Sequence, residues 1–142
     1  MAAKNSQNLQ KNVKLPIEIW SFYDWLYGSQ KHSLFFDKNW VCDVLTLGAT
    51  HFLAYEVIRD IPMNAKTIQF GATFGPQIDI TANKITPYGK FVIIDKNPLQ
   101  ILRCEQKYEN LYPQLSFVKA DVTRFKSEEK FDRVICYNLL HE

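Results

Sequence analysis

The sequence has 142 residues, of which 46% are hydrophobic and 23% are charged, and its formal net charge at pH 7 is +2. This length suits one domain with a hydrophobic core, and the small charge without a basic stripe argues against nucleic acid as a partner. No apolar run approaches the length of a membrane-spanning helix. The cysteines, Cys42, Cys104 and Cys136, are far apart, which indicates reduced core thiols and no disulfide framework or zinc site.

The N-terminal part has a helical character. Residues 1–14 are polar and lysine-bearing and lack the apolar segment of a secretory signal, so we predict a disordered lead-in to a cytoplasmic protein. Residues 15–61 are predicted to form an N-terminal helical cap. Apolar positions three and four apart predict one helix over 16–28 and a second, continuous helix over 39–59.

Residues 62–142 alternate between strand and helix patterns. Short apolar runs predict strands at 67–70, 91–95, 115–121 and 131–138, and helical patterns predict helices at 76–85 and 97–112. Continuous apolar strands between helices are typical of a parallel sheet covered on both faces. The predicted fold is therefore a doubly wound, Rossmann-like α/β layer of which the first four strands are present.

Chemically distinctive residues follow the predicted strands. Gly71 and Gly75 come after the first strand, Asp95 ends the second, Asp121 ends the third and Asn138 ends the fourth. Glycines let the backbone approach a ligand, and a carboxylate can accept both hydroxyls of a ribose or the amino group of a base. Each feature alone is equally typical of a tight turn or a helix cap. Their conjunction at successive strand ends indicates a cofactor pocket, because ligands bind at that edge of such sheets.

Residues 66–142 resemble the first half of a class I S-adenosylmethionine-dependent methyltransferase. In that family the first strand and its glycine-rich turn hold the methionine part, the next acid binds the ribose, and an Asp after the third strand contacts adenine. The resemblance gives these roles to Gly71 and Gly75, to Asp95 in VIIDKNP, and to Asp121 in VKADV.

The turn after the first strand departs from the family pattern. That pattern begins with an acid and has a middle glycine, where this chain has Gln69 and Thr73. An amide can still hydrogen-bond a ligand, so Gln69 remains a cofactor-binding candidate, although it offers no charge to a cationic sulfonium. The GxGxxG pattern of dinucleotide-binding turns is absent, which makes a dinucleotide a weaker interpretation.

A narrower resemblance is carried by FYDWLYG, LFFDKNWVCDVLTLGATHFL and the closing NLLHE. These segments resemble the rhodoquinone-biosynthesis methyltransferase-like proteins, relatives of the ubiquinone and menaquinone methyltransferases. The resemblance implies conversion of ubiquinone to rhodoquinone, with S-adenosylmethionine supplying the ring amino group and a divalent metal assisting. The catalytic candidates are Asn138 and His141, and the metal-ligand candidates are His141 and Glu142.

Two other functions remain open from the sequence. One is conventional C- or O-methylation of a small molecule, and the other is a non-catalytic cofactor-binding fragment. Complete domains of the resembled class have further strands after the fourth. The resemblance therefore predicts that the sequence is C-terminally incomplete or that a second chain completes the sheet, since an open sheet edge is otherwise a pairing hazard.

The segment 20–40 is dense in aromatic residues, namely Trp20, Phe22, Tyr23, Trp25, Tyr27, Phe35, Phe36 and Trp40. One interpretation is packing of the helical cap over the cofactor. The other is contact with a quinone ring, its isoprenoid tail or the inner face of a membrane, where Trp and Tyr are favoured and Lys31, His32 and Lys38 add weak attraction. His32 and His51 are otherwise predicted to be surface residues of helices.

Overall fold

A computed structural model describes residue 25 and residues 29–36, 38–108 and 110–136. The predicted lead-in over 1–14 and almost all of the predicted helix over 16–28 lie outside these residues. The elements in chain order are α1 (Gln30–Phe36), α2 (Asn39–Thr46), α3 (Ala49–Ile58), β1 (Lys66–Phe70), α4 (Gln77–Lys84), β2 (Lys90–Asp95), α5 (Pro98–Tyr108), β3 (Leu115–Lys119) and β4 (Arg133–Cys136).

The four strands form one parallel sheet in the order β3-β2-β1-β4. Phe70 pairs with Ile94 and Asp95 pairs with Lys119, so the carboxyl ends of three neighbouring strands reach a common edge. This arrangement confirms the predicted Rossmann-like α/β fold. It also places the residues after β1, β2 and β3 side by side.

One face of the sheet is covered by helices. Alternate strand residues such as Phe91 and Ile93 point to this face, where they meet the apolar sides of α3, α4 and α5. Ile78 and Ala82 of α4 and Cys104 of α5 are completely buried there. Burial of these side chains fixes the helices over the sheet, since each large apolar side chain contributes about 1.5–3 kcal/mol when fully buried.

The other face of the sheet is also covered, as the continuous apolar strands predict. Ile68, Val92 and Ile94 are buried on it. Within the described part of the chain, their cover includes side chains from the connection between β3 and β4, notably Phe125 and Phe131. A loop thus provides cover on this face where helices cover the first.

The prediction of one continuous helix over 39–59 was wrong. α2 and α3 are separate helices that meet at an angle of 101°. Leu47 and Gly48 both have positive φ, 51° and 79°, and the Gly48 N–H donates to the Asp43 carbonyl at 2.9 Å. Two successive left-handed residues end a helix and redirect the chain. No single helix among the described residues is long and apolar enough to cross a membrane, whereas the bent pair of α2 and α3 is together of sufficient length and apolar composition.

The cysteines only partly match their prediction as core thiols. Cys42 and Cys104 are buried, whereas Cys136 is exposed, and the structure joins no pair of the three in a disulfide. Cys136 ends β4, which lies at the edge of the described sheet and exposes Val134 as well. Apolar character in the sequence did not distinguish this edge strand from the buried central ones.

Candidate functional site

Asp95 links the turns that follow two neighbouring strands. Its half-buried carboxylate accepts the Ala72 N–H through Oδ2 at 2.8 Å and the Asn97 N–H through Oδ1 at 2.7 Å. A carboxylate offers about four acceptor positions, so each oxygen retains capacity for one further donor. Asp95 can therefore hold the local backbone and still accept two ligand hydroxyls.

Gly71 begins the turn after β1. Its φ is +87°, a conformation that glycine adopts without the steric cost that other residues bear. Its N–H donates to the Ile94 carbonyl at 2.8 Å, which continues the β1–β2 ladder by one bond. The turn therefore starts directly beside Asp95, at the edge where the sequence predicts a ligand.

Gln69 lies beneath this turn in a buried network of polar side chains. Its amide nitrogen donates to the Gly71 carbonyl at 2.9 Å, and its amide oxygen accepts from Gln77 at 2.8 Å. Gln77 also donates to Thr81 at 3.0 Å and accepts from the Thr73 hydroxyl at 2.9 Å. Gln69, Gln77 and Thr81 have no exposed surface. In this conformation Gln69 thus holds the turn from below and presents no surface to a ligand.

Arg103 also supports the turn, although the sequence did not single it out. Its guanidinium donates to the Thr73 carbonyl at 2.8 Å and lies over the Phe74 ring at 4.3 Å from the centroid, with the residue almost completely buried. A guanidinium above an aromatic face combines hydrogen bonding with cation–π attraction. The only sequence signal was a charged residue next to the apolar face of a predicted helix, which is common on solvated helices.

Gly75 contacts the helical cap. Its φ is +79°, and a Cβ at this position would lie 3.1 Å from both Cβ and Sγ of Cys42 and 3.5 Å from Thr50 Cγ2. The glycine therefore makes room for α2 and α3 against the turn. Its described neighbours are the cap helices, while the resemblance assigned it to the cofactor.

Replacing Gly75 with alanine should destabilise the protein by about 3 kcal/mol, because left-handed strain of about 1–2 kcal/mol adds to overpacking of a similar size. Gly48→Ala is the matched control. Gly48 has the same φ of +79°, and a Cβ there meets nothing within 4 Å. Gly48→Ala should lower the free energy of unfolding by only about 1 kcal/mol. Urea unfolding of both variants measures the difference, and equal losses would contradict close packing at Gly75.

Asp121 lies two residues beyond the end of β3 and is exposed. Its Oδ1 accepts the Thr123 hydroxyl at 2.7 Å and the Thr123 N–H at 2.9 Å. These bonds hold the pKa of the carboxyl below its usual value, the Thr123 hydroxyl having the largest effect. Oδ2 makes no hydrogen bond with the described residues, so an ionised oxygen remains available next to the ends of β2 and β3.

The Thr123 hydroxyl can be tested directly. Thr123→Val should raise the pKa of Asp121 towards its usual value, because the main stabilising donor to the carboxylate is lost while the backbone donor remains. A carboxyl with a depressed folded pKa stabilises the fold above its unfolded pKa and loses that effect as pH falls through the folded value. NMR titration of Asp121 in both proteins measures the shift, and an unchanged pKa would exclude the hydroxyl as its cause.

The remaining predicted site residues, Asn138, His141 and Glu142, lie outside the described residues. Within the described ranges, no three His, Cys, Asp or Glu side chains cluster in a way that could hold a metal ion. His51 contacts Asp43 at 3.1 Å on the cap, and His32 contacts the Trp25 carbonyl at 2.8 Å. Both histidines are partly exposed on helices, as predicted.

An open groove of about 250 Å³ runs beside β4. Its lining comes from the end of α3, from the residues that follow α3 and from β4, and it includes Val57, Ile61, Val134 and Cys136. None of the predicted cofactor-binding residues lines it. The groove runs along β4 and reaches the carboxyl edge of the sheet at Cys136, which pairs with Phe70 of β1.

Comparison with protein-family models and with curated proteins finds no match to this chain.

Proposed function

We propose that the chain binds S-adenosylmethionine and belongs to a class I methyltransferase-like transferase. The observation that carries the proposal is the order of three features along one sheet edge. The turn at Gly71 follows β1, Asp95 ends β2 and Asp121 follows β3, and these strands are adjacent in the order β3-β2-β1. Neighbouring strands are about 4.8 Å apart, so the three ends extend over about 10 Å, which suits a nucleoside lying across them.

Asp95 occupies the ribose position in this proposal. Each of its oxygens accepts one backbone N–H and retains an acceptor position for one ribose hydroxyl. Because both backbone bonds fix the carboxylate, its orientation is set before the ligand arrives, and less ordering cost remains to be met on binding.

Asp121 occupies the adenine position. Its Oδ1 is engaged by Thr123, and Oδ2 can accept a hydrogen bond from the exocyclic amino group. An aspartate is ionised at neutral pH, and the bonds from Thr123 lower the pKa of this carboxyl further, so it acts as a pure acceptor. This arrangement favours adenine over a base that presents a carbonyl at the same place.

The neutral amide of Gln69 distinguishes this chain within the proposed class. If bound, S-adenosylmethionine would supply an electrophilic sulfonium methyl group for methyl transfer, or the amino nitrogen of its methionine part for amino transfer. Gln69 donates to the Gly71 carbonyl, and Gln77 donates in turn to the Gln69 amide oxygen, so both hydrogen bonds are between neutral groups. The turn beneath the methionine part is therefore fixed without a carboxylate at the Gln69 position.

Following the narrower resemblance, the acceptor in this proposal is a quinone. A divalent metal is the accompanying cofactor, and the product is a quinone that carries an amino group on its ring. A cofactor-binding protein without transferase activity is the second candidate. This candidate is favoured by Gln69, which is a buried neutral amide at the position where the resembled class has an acid.

Calorimetric titration tests the cofactor proposal. S-adenosylmethionine and S-adenosylhomocysteine should bind, and NAD should not, because GxGxxG is absent from the turn. Failure of both to bind the chain would overturn the proposal. Incubation with ubiquinone, S-adenosylmethionine and a divalent metal, followed by measurement of the product mass, then separates amino transfer from methyl transfer. If the cofactor binds but no modified quinone forms, the second candidate is favoured.

A further inference from the structure

α2, α3 and the turn between them carry many exposed apolar side chains around a sharp bend. We call this surface the apolar corner; its members are Trp40, Val44, Leu45, Leu47, Phe52, Leu53 and Tyr55. Val41, Thr50 and Ala54 of the same two helices are buried. The helices are thus packed on the domain from within and remain apolar outside, whereas exposed helix faces normally carry polar residues.

Leu47 stands at the tip of the corner. It is 94% exposed and has a φ of 51°. A leucine in the left-handed region is strained, and exposure of its side chain to water gives no packing in return. The backbone strain accompanies the turn between α2 and α3, whereas the exposure of the apolar side chain brings no benefit in the isolated fold. That exposure is offset if the side chain enters an apolar phase.

Around the apolar corner, the carboxylates have basic neighbours and two lysines are exposed. Within α2 and α3 the only carboxylates are Asp43 and Glu56, which pair with His51 at 3.1 Å and Arg59 at 2.6 Å. Lys31 and Lys38 are exposed on the N-terminal side of α2. Each acidic group therefore lies beside a basic side chain, and the exposed Lys31 and Lys38 lie on the N-terminal side of the apolar surface.

We propose that the apolar corner inserts into the surface of an anionic lipid bilayer. The 101° bend makes the corner convex, which suits a deformable phase better than the concave groove that usually receives a helix in a protein partner. Trp40 and Tyr55 are residue types favoured at the headgroup level, with aliphatic and Phe side chains reaching deeper. Lys31 and Lys38 meet lipid phosphates.

The attachment requires no cofactor, so it stands apart from the proposed transferase function. It also gives that function a source of substrate. A quinone with a long apolar tail resides in the bilayer, and the helices that carry the corner contact the turn after β1 at Gly75.

Flotation of the whole chain with vesicles of phosphatidylcholine and phosphatidylglycerol in equal amounts tests the proposal, without cofactor. The wild type should float with these vesicles and bind several-fold less to phosphatidylcholine alone. Leu47→Asn and Phe52→Asn should each lower the partition coefficient at least about tenfold, because a large apolar side chain is removed from the lipid. Asparagine tolerates the left-handed region better than leucine, so Leu47→Asn should leave the unfolding midpoint unchanged or higher.

Tyr88→Asn is the matched control. Tyr88 is 90% exposed in the turn after α4, and its loss should leave flotation unchanged. Absence of wild-type flotation, or equal losses in all three variants, would overturn the proposal. So would a wild-type dimer that Leu47→Asn converts to a monomer without any vesicle binding, since the corner would then be a contact between two copies.

Discussion

Asp95→Ala is expected to weaken S-adenosylmethionine binding about hundredfold. Each ribose hydroxyl bond to a charged acceptor contributes about 1.5 kcal/mol, and two such bonds are lost. The variant should also be less stable by about 2 kcal/mol, because the Ala72 and Asn97 N–H groups lose their acceptor. Calorimetric titration measures the first effect, and urea unfolding measures the second. Asp95→Asn retains one carbonyl acceptor, so its affinity for S-adenosylmethionine should lie between those of the wild type and Asp95→Ala.

Asp132→Ala separates ligand binding from stability. Asp132 also accepts a backbone N–H, from Lys66 at 2.8 Å, but at the amino end of β1, on the opposite edge of the sheet. This variant should lose stability and keep its affinity for S-adenosylmethionine. If Asp132→Ala lowered the affinity as much as Asp95→Ala, the ribose position would have no support beyond general destabilisation.

Gln69→Glu is expected to destabilise the protein by about 3 kcal/mol at neutral pH, although an acid is the usual residue of the resembled family. The introduced carboxylate would face the Gly71 carbonyl, to which Gln69 donates, in a position with no exposed surface. A carboxylate cannot donate to this carbonyl, and its charge is buried without a compensating partner. The variant therefore carries the full cost of desolvating the charge. Chemical unfolding of the variant and the wild type gives the difference.

The penalty of Gln69→Glu should depend on pH with a defined sign. Burial raises the folded pKa of the introduced carboxyl above its unfolded value of about 4.3. Below the unfolded pKa the group is neutral in both states and the loss is smallest. The loss grows as pH rises towards the folded pKa. Gln69→Met is the neutral control, with a loss that does not change with pH. A stable Gln69→Glu protein with tighter cofactor binding would refute the neutral role assigned to this position.

The sheet was predictable from the sequence because its strands are apolar and continuous. The runs around Ile68, Val92 and Phe117 each became a strand, and the alternation with helices gave their parallel arrangement. The gathering of Gly71 and Asp95 at one edge followed from this topology. Asp121 also reaches that edge, although β3 ends two residues earlier than predicted.

The helix break at Leu47 could not be read from the sequence. Leucine is a strong helix former, and one glycine inside an apolar helical pattern is tolerated at a cost of about 1 kcal/mol. The two left-handed residues, Leu47 and Gly48, are instead accompanied by packing of Cys42 and Thr50 on the turn at Gly75. That contact joins segments distant in the chain, which local periodicity does not report.

The support beneath the turn was missed for a related reason. Gln77 and Arg103 are polar residues on predicted helices, where solvent exposure is the ordinary expectation. Their hydrogen bonds to Gln69 and to the Thr73 carbonyl exist only after α4 and α5 pack on the sheet. The sequence located the edge of the site, and the tertiary structure supplied the groups that hold it in shape.

The lack of room for a side chain at Gly75 makes the turn after β1 and the two cap helices one mechanical unit. A displacement of the turn by a ligand must move Cys42 and Thr50 with it. If the apolar corner enters a bilayer, binding of lipid and binding of cofactor are thermodynamically linked. The factor by which the cofactor changes the affinity for lipid then equals the factor by which lipid changes the affinity for the cofactor. Membrane attachment would in that case set how much cofactor the protein retains.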